Sequence, residues 1–116
     1  MAKCKQNASI VFNVTGVTFE GRAAYVAMCS AGTKLNLIDE PTNQFDENAI
    51  AVYTEPIGDT QPRTAYQLGY VPASFTGLIR HIRKNYDFNV IIAARGIDPT
   101  YVRCEIAMTS RPEQEG

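Results

Sequence analysis

Apolar and polar residues alternate near both ends of this chain. In SIVFNVTG, Ile10, Phe12 and Val14 fall on one face of an extended segment, and Val11, Asn13 and Thr15 on the other. In YVRCEIAMT, Val102, Cys104, Ile106 and Met108 alternate with Arg103, Glu105 and Ala107. A period of two marks a strand with one buried face. KLNLI, AIAVY, YQLGYVP and FNVIIAARG read as four further strands, with Leu35, Leu37, Ile50, Val52 and Leu68 turned inward. Gly16, Gly32, Pro72, the loop EPIGDTQPRT and the turn GIDPT separate them, and SRPEQEG is a polar tail. One stretch has a helical period. Phe75, Leu78, Ile79 and Ile82 recur at i, i+3, i+4 and i+7, which predicts an amphipathic helix over about 73–85. Ser74 and Thr76 are its candidate caps, and Arg80, Arg83 and Lys84 share the opposite face. Val17–Gly32 has no clear period; its alanines and Met28 allow a helical turn.

About six short strands with Gly and Pro turns favour a mainly β fold, a small barrel or strongly bent sheet with one or two helices. A length of 116 residues fits one domain over 1–116. Eleven Lys and Arg face twelve Asp and Glu, a net charge of -1. This balance gives no whole-molecule attraction to phosphate, so any nucleic-acid contact must be local. No apolar run reaches the roughly 20 residues that span a bilayer, and MAKCKQNAS lacks the apolar centre of a secretory signal. Cys4, Cys29 and Cys104 are odd in number, widely spaced and form no CxxC pair. A reducing, cytoplasmic location with three free thiols is expected, Cys104 packing in the core.

The chemistry concentrates in DEPTNQFDENAI. Asp39, Glu40, Asp46 and Glu47 lie within twelve residues, around Phe45, an aromatic that by itself looks like a residue to bury. The segment lacks the alternating ligands, central Gly and closing Glu of a calcium loop. One His and three dispersed Cys do not make a zinc site. His81, the one candidate base, sits on the flank of the helix beside Arg80, and the chain has neither a Gly-rich phosphate loop nor a GxSxG elbow. No catalytic residue, metal ligand or cofactor is expected. Pro41, Asn43, Asp46 and Asn48 are turn formers. The basic helix face either touches phosphate or is simply solvated. Phe19, Phe45, Tyr70 and Tyr101 all lie at element ends, where one rim of a barrel can present aromatic faces to unpaired bases.

The order of these pieces resembles the HIRAN domain. The carriers are a strand ending at Gly16 with Phe19 after it, the run EPTNQFDENAIAV, and LGYVP leading into an amphipathic helix. The resemblance covers about residues 10–108, and the chain looks like the free-standing prokaryotic kind. Family members also stand at the front of fork-remodelling DNA translocases, a setting of DNA repair. The resemblance implies an OB-like β-barrel with added helices and a pocket for the 3′-hydroxyl end of single-stranded DNA. It further implies that Phe45 and Asp46 hold the terminal nucleotide, that Phe19 stacks on a base, and that Tyr101 completes the slot. Tyr70 lines it, and Thr18 stands where DNA-binding members carry Arg. Those members also carry His at the place of Tyr70 and Lys at the place of Ala73. Hydrogen bonds to charged groups contribute about 1.5–3 kcal/mol each, so three losses weaken binding by orders of magnitude unless Arg22 or the Arg80/Lys84 face compensates. The sequence therefore favours a non-catalytic single-stranded DNA-binding module, with a protein-interaction module on the same barrel as the alternative.

Overall fold

Six strands and two helices follow one another in a computed structural model that describes residues 7–57, 63–96 and 101–110. They are β1 (Asn7–Asn13), α1 (Arg22–Ala27), β2 (Leu35–Asp39), β3 (Ile50–Thr54), β4 (Gln67–Tyr70), α2 (Thr76–Asn85), β5 (Tyr86–Arg95) and β6 (Val102–Ser110). Short 3-10 turns, Phe19–Gly21 and Ala73–Phe75, lead into α1 and α2. The strands form two antiparallel three-stranded sheets, ordered β1-β6-β5 and β2-β3-β4. Cys4, the middle of the EPIGDTQPRT loop, most of the GIDPT turn and the end of the polar tail lie outside the described residues.

The alternation in β1 and β6 sets the first sheet. Ile106 lies between Ile10 and Val90, and Cys104 between Phe12 and Ile92. Both rungs face the core, where Ile92, Cys104 and Ile106 have no exposure while Val11, on the far face of β1, is half exposed. In the second sheet Val52 pairs Leu37 on one side and Gly69 on the other. Ile50, Val52 and Leu68 are fully buried against it. Ile79 and Ile82 of α2 close this core, as their spacing predicts. Leu78 does not: it is 40% exposed, so the buried stripe of α2 is narrower than the apolar pattern suggests. Neither Ser74 nor Thr76 caps α2 from its N-terminus; the Thr76 hydroxyl donates back to the Ala73 carbonyl.

The fold is mainly β with six strands, as expected, but the two sheets do not close into a continuous barrel. They touch at two seams. At one, Thr15 and Tyr70 exchange backbone hydrogen bonds of 2.9 Å each. At the other, Gly32 donates to Ile92, Ile92 donates to Thr33, and Lys34 bridges Ile91. Elsewhere β2 and β5 diverge along a groove of about 580 Å³ lined by Lys34–Ile38, Glu55 and Phe88–Ile91. The first seam requires Gly69, because a Cβ there would collide with the Thr15 carbonyl oxygen. This contact holds the end of β1 against the end of β4. The stretch from Gly16 into α1 therefore lies beside Tyr70. The β2–β3 loop turns at the same end, because the Val71 amide donates to the Ile50 carbonyl.

Candidate functional site

The loop from Glu40 to Ala49 is built from its own polar side chains. Its ends are closed by Glu40 N–H donating to the Ala49 carbonyl at 2.9 Å. Asn43 Oδ1 accepts two backbone amides, from Phe45 at 2.9 Å and Asp46 at 3.0 Å. Asp46 Oδ1 in turn accepts the Asn48 amide at 2.8 Å. These are the Asx turns that short polar side chains form when they compete with regular structure. They leave Phe45 with nothing to pack on: its side chain is 89% exposed, the opposite of burial. The turn presents the ring instead of hiding it.

A second network ties this turn to β4. The Tyr70 hydroxyl donates to Glu40 Oε1 at 2.7 Å, and Asn43 Nδ2 donates to the same oxygen at 3.1 Å. Burial, with the adjacent Glu40 charge, raises the Tyr70 pKa against opposing effects of Gln67 and Arg22. Tyr70 thus stays a phenol and a donor at neutral pH. On its other side the Arg22 guanidinium stands 5.3 Å from the Tyr70 ring centre and donates to the Gly16 carbonyl at 3.0 Å. Glu40, one of the four acidic residues of the DEPTNQFDENAI run, is the acceptor on which Tyr70 and Asn43 converge.

Helix α2 braces the loop from outside. Arg80 Nη2 donates to the Asn48 carbonyl at 2.9 Å. Arg83 pairs with Asp39 at 2.7 Å and donates to the Leu37 carbonyl at 2.7 Å. Arg80 and Arg83 are therefore clamps on the β2–β3 hairpin rather than simply solvated. His81 is exposed and contacts Asn85 and Tyr86.

Two depressions meet at Asn43, Phe45 and Tyr70. The larger, a trough of about 580 Å³, is lined by Phe19, Arg22, Thr42, Asn43, Gln44, Phe45, Gln67 and Tyr70. The smaller, a notch of about 260 Å³, adds Asp46, Thr15, Ala49, Val71 and Ala73 to the shared three. Phe19, on the trough wall, is 65% exposed. The structure thus brings together Phe19, Phe45, Asp46 and Tyr70. It leaves Thr18 and Tyr101 outside both depressions. Thr18 is an exposed residue before the first 3-10 turn, with no side-chain cap bond. Tyr101 lies at the start of β6 with the Arg103 guanidinium 5.6 Å from its ring centre. The groove between β2 and β5 matches the trough in volume but contains none of the expected site residues.

Glu40 belongs to the run EPTNQFDENAIAV, but its part as shared acceptor was not legible there; Gln67 joins the site without any sequence signal beyond its neighbours, since an inward polar residue breaks the alternation used to find strands. Among the described residues no group of three or more His, Cys, Asp or Glu is placed to hold a metal ion, and no helix is long and apolar enough to cross a membrane. Cys29 and Cys104 are free and buried, and burial pushes the Cys104 thiol up to about 12.

Comparison with known proteins agrees with this architecture. A crystal structure of a protein from Lactobacillus plantarum superposes with a TM-score of 0.62 at 17% identity, covering 93% of this chain and all of the other. The crystal structure of the HIRAN domain of human HLTF gives a TM-score of 0.61 at 16% identity, covering 89% of this chain and 76% of that one. No curated protein matches by sequence. At these identities the likeness is one of fold. The family model of the HIRAN domain matches residues 7–110, nearly the whole chain, and the protein belongs to the HIRAN domain family.

Proposed function

We propose that this HIRAN domain is a non-catalytic binding module for single-stranded DNA that engages the 3′-hydroxyl end of a strand. The observation that carries the reading is the pair of exposed phenylalanines, Phe19 at 65% and Phe45 at 89%, on one trough, with Asp46 in the notch that shares Phe45. An aromatic ring left in water forgoes about 1.5–3 kcal/mol of burial. A turn that holds Phe45 outward with two backbone bonds to Asn43 suits a stacking platform for a base. Asp46 spends Oδ1 on its own turn and lines the notch beside Phe45, where its carboxylate can accept a hydrogen bond from a terminal hydroxyl.

Fluorescence anisotropy with short labelled oligonucleotides tests the reading. A free 3′-hydroxyl strand should bind more tightly than one ending in a 3′-phosphate, because the phosphate brings negative charge towards Asp46. Phe45→Ala should weaken binding about 5-fold to 150-fold, the range for loss of one stacked base. Asp46→Ala should chiefly remove the preference for the free hydroxyl. Few cations line the slot, so salt dependence should be shallow, with about one or two ions released. One observation favours a second reading, a protein-interaction module. Thr18, Tyr70 and Ala73 replace the cationic or polar residues of DNA-binding members, and Thr18 lies outside the slot. No binding at high micromolar protein and low salt would select that reading.

A further inference from the structure

An open sheet invites pairing along its edges, and the edges of these two sheets are not equally guarded. On β2, Arg83 donates to the Leu37 carbonyl and pairs with Asp39. β4 has only four residues, and its end is taken by Thr15. β5 bulges between Ile92 and Ala94 and carries Asp87 and Arg95. β1 has none of these devices. It runs for seven residues, NASIVFN, without a charge, a Gly, a Pro or a bulge. Ala8, Ser9, Val11 and Asn13 are exposed. Among the described residues, no strand pairs with the outer edge of β1 until Thr15 meets Tyr70.

The phase of the ladder shows which groups that edge offers. Val14 donates to the Val102 carbonyl, so the even residues of β1 exchange bonds with β6. Thr15 exchanges bonds with Tyr70 on the opposite side. The amides and carbonyls of Asn7, Ser9, Val11 and Asn13 therefore point away from β6.

We infer that this edge is the interface of a homodimer, in which two copies of β1 pair antiparallel across a two-fold axis. The joined sheet runs β5-β6-β1-β1-β6-β5. A neutral strand can face itself, because no like charges come opposite each other. The nearest charges, Arg103 and Glu105, stand one strand back on β6. The phase also fixes the register. Odd residues alone offer groups on this side, and Thr15 is taken by Tyr70. The register that uses all the others pairs Asn7 with Asn13 and Ser9 with Val11, each twice, about an axis at Ile10. On the core face Phe12 then comes opposite Ala8, large against small, and the partly buried Ile10 packs on its own copy. An edge of seven residues covers less than the roughly 1,200 Å² of a standard interface, so the pairing is weak and depends on concentration. The dimer stands independently of the strand-end reading. Where both hold, it makes the module bivalent: at about 3.4 Å per residue, Thr15 and its copy, with a slot beside each, lie roughly 34 Å apart.

Sedimentation velocity on the full chain, from about 10 µM to about 1 mM, should show a monomer giving way to a dimer. Amide exchange followed by NMR locates the contact. Protection of Ser9 and Val11 should rise with protein concentration, while Ile10 and Phe12, which donate to β6, stay protected throughout. Ser9→Pro removes an outward amide from each copy and no bond of the β1–β6 ladder. It should weaken the dimer about 5-fold to 150-fold, as two lost hydrogen bonds do. Val11→Lys keeps Glu105 as its neighbour within the monomer but sets two cations diagonally across the axis. It should also weaken the dimer, and it decides the matter if Ser9→Pro lowers the melting temperature. A monomer at every concentration, with fast exchange at Ser9 and Val11, would overturn the inference. So would a dimer that neither variant weakens, or protection of these two amides that ignores concentration, since the chain would then cover its own edge. None of these outcomes bears on DNA binding, which is measured separately on the dilute monomer.

Discussion

Asn43→Ala removes the hub of the candidate site without touching the hydrophobic core. The wild-type side chain accepts the amides of Phe45 and Asp46 and donates to Glu40. A net intramolecular hydrogen bond contributes about 0.5–1.5 kcal/mol. The Phe45 bond is exposed, so water can replace much of it after the substitution. Two such bonds at the lower half of the range give about 1–2 kcal/mol for the closed turn. That is a 5- to 30-fold change in its opening equilibrium. Amide hydrogen exchange followed by NMR reads this directly. Exchange at Phe45 and Asp46 should accelerate 5- to 30-fold. Val52 in β3 exchanges only through larger openings, so its protection should fall by no more than the change in global stability. That change is about 1 kcal/mol or less, because no apolar surface is uncovered. If DNA binding requires the turn as built, affinity for a free 3′ end should fall by the same factor as the local protection. Asn43→Asp retains an acceptor for both amides but places a carboxylate beside Glu40. It should preserve protection at Phe45 and Asp46 while loosening the link to Tyr70. Unchanged exchange at both amides in Asn43→Ala would refute the account of how Phe45 is held outward.

Other consequences are open to measurement. Ile82→Ala should cost about 2–5 kcal/mol in chemical denaturation, because the side chain is 2% exposed. Leu78→Ala should cost about 1 kcal/mol, so equal effects from the two would mean that α2 docks by a different face. Gly69→Ala should destabilise by at least about 2 kcal/mol or abolish folding, since its methyl group collides with the Thr15 carbonyl at the seam between the sheets. The Cys104 thiol, raised from 9.0 to about 12, contributes stability that is fully present below about pH 9 and lost as pH rises towards 12. Over that window Cys104→Val should show the smaller alkaline loss, by up to about 4 kcal/mol at 1.36 kcal/mol per unit. Thiol titration should find Cys29 and Cys104 unreactive in the folded protein and reactive after denaturation without reductant.

Much of this molecule was legible where one physical signal dominated. Ile10, Phe12 and Val14, and Val102 to Met108, alternate because each strand has one dry face. Phe45 stood out as a large aromatic among turn formers, although its full exposure did not. Leu78 misled because apolar spacing defines a stripe but not its width, and the edge of α2 borders solvent. The six residues of α1 gave no pattern, since a helix of under two turns cannot display a period; Arg22 and Val26 are its only buried side chains. Closure of the sheets was beyond reach, because the seams depend on a few long-range backbone contacts such as Thr15 with Tyr70. That Tyr101 lies outside both depressions was hidden for a related reason. Its place at a strand end says nothing about which depression that end borders. Arg80 and Arg83 read as a free basic face because nothing local shows that a hairpin some forty residues earlier in the chain returns to meet them.

The slot sets its own limit on affinity. Two exposed phenylalanines at about 1–3 kcal/mol each, one guanidinium and one carboxylate at about 1.5–3 kcal/mol each, give roughly 5–12 kcal/mol of contact before the cost of ordering a flexible strand. That cost is several kcal/mol. The remainder corresponds to a Kd around the micromolar to millimolar range. A module of this strength does not hold single strands against competition. On the proposed reading it would sample ends and release them, with selectivity set at the notch, where a terminal hydroxyl would fit and a phosphate would meet Asp46. Tight engagement then requires a second contact that raises the local concentration of the end. An isolated domain that bound single strands with nanomolar affinity would show that more of its surface takes part than the trough and the notch.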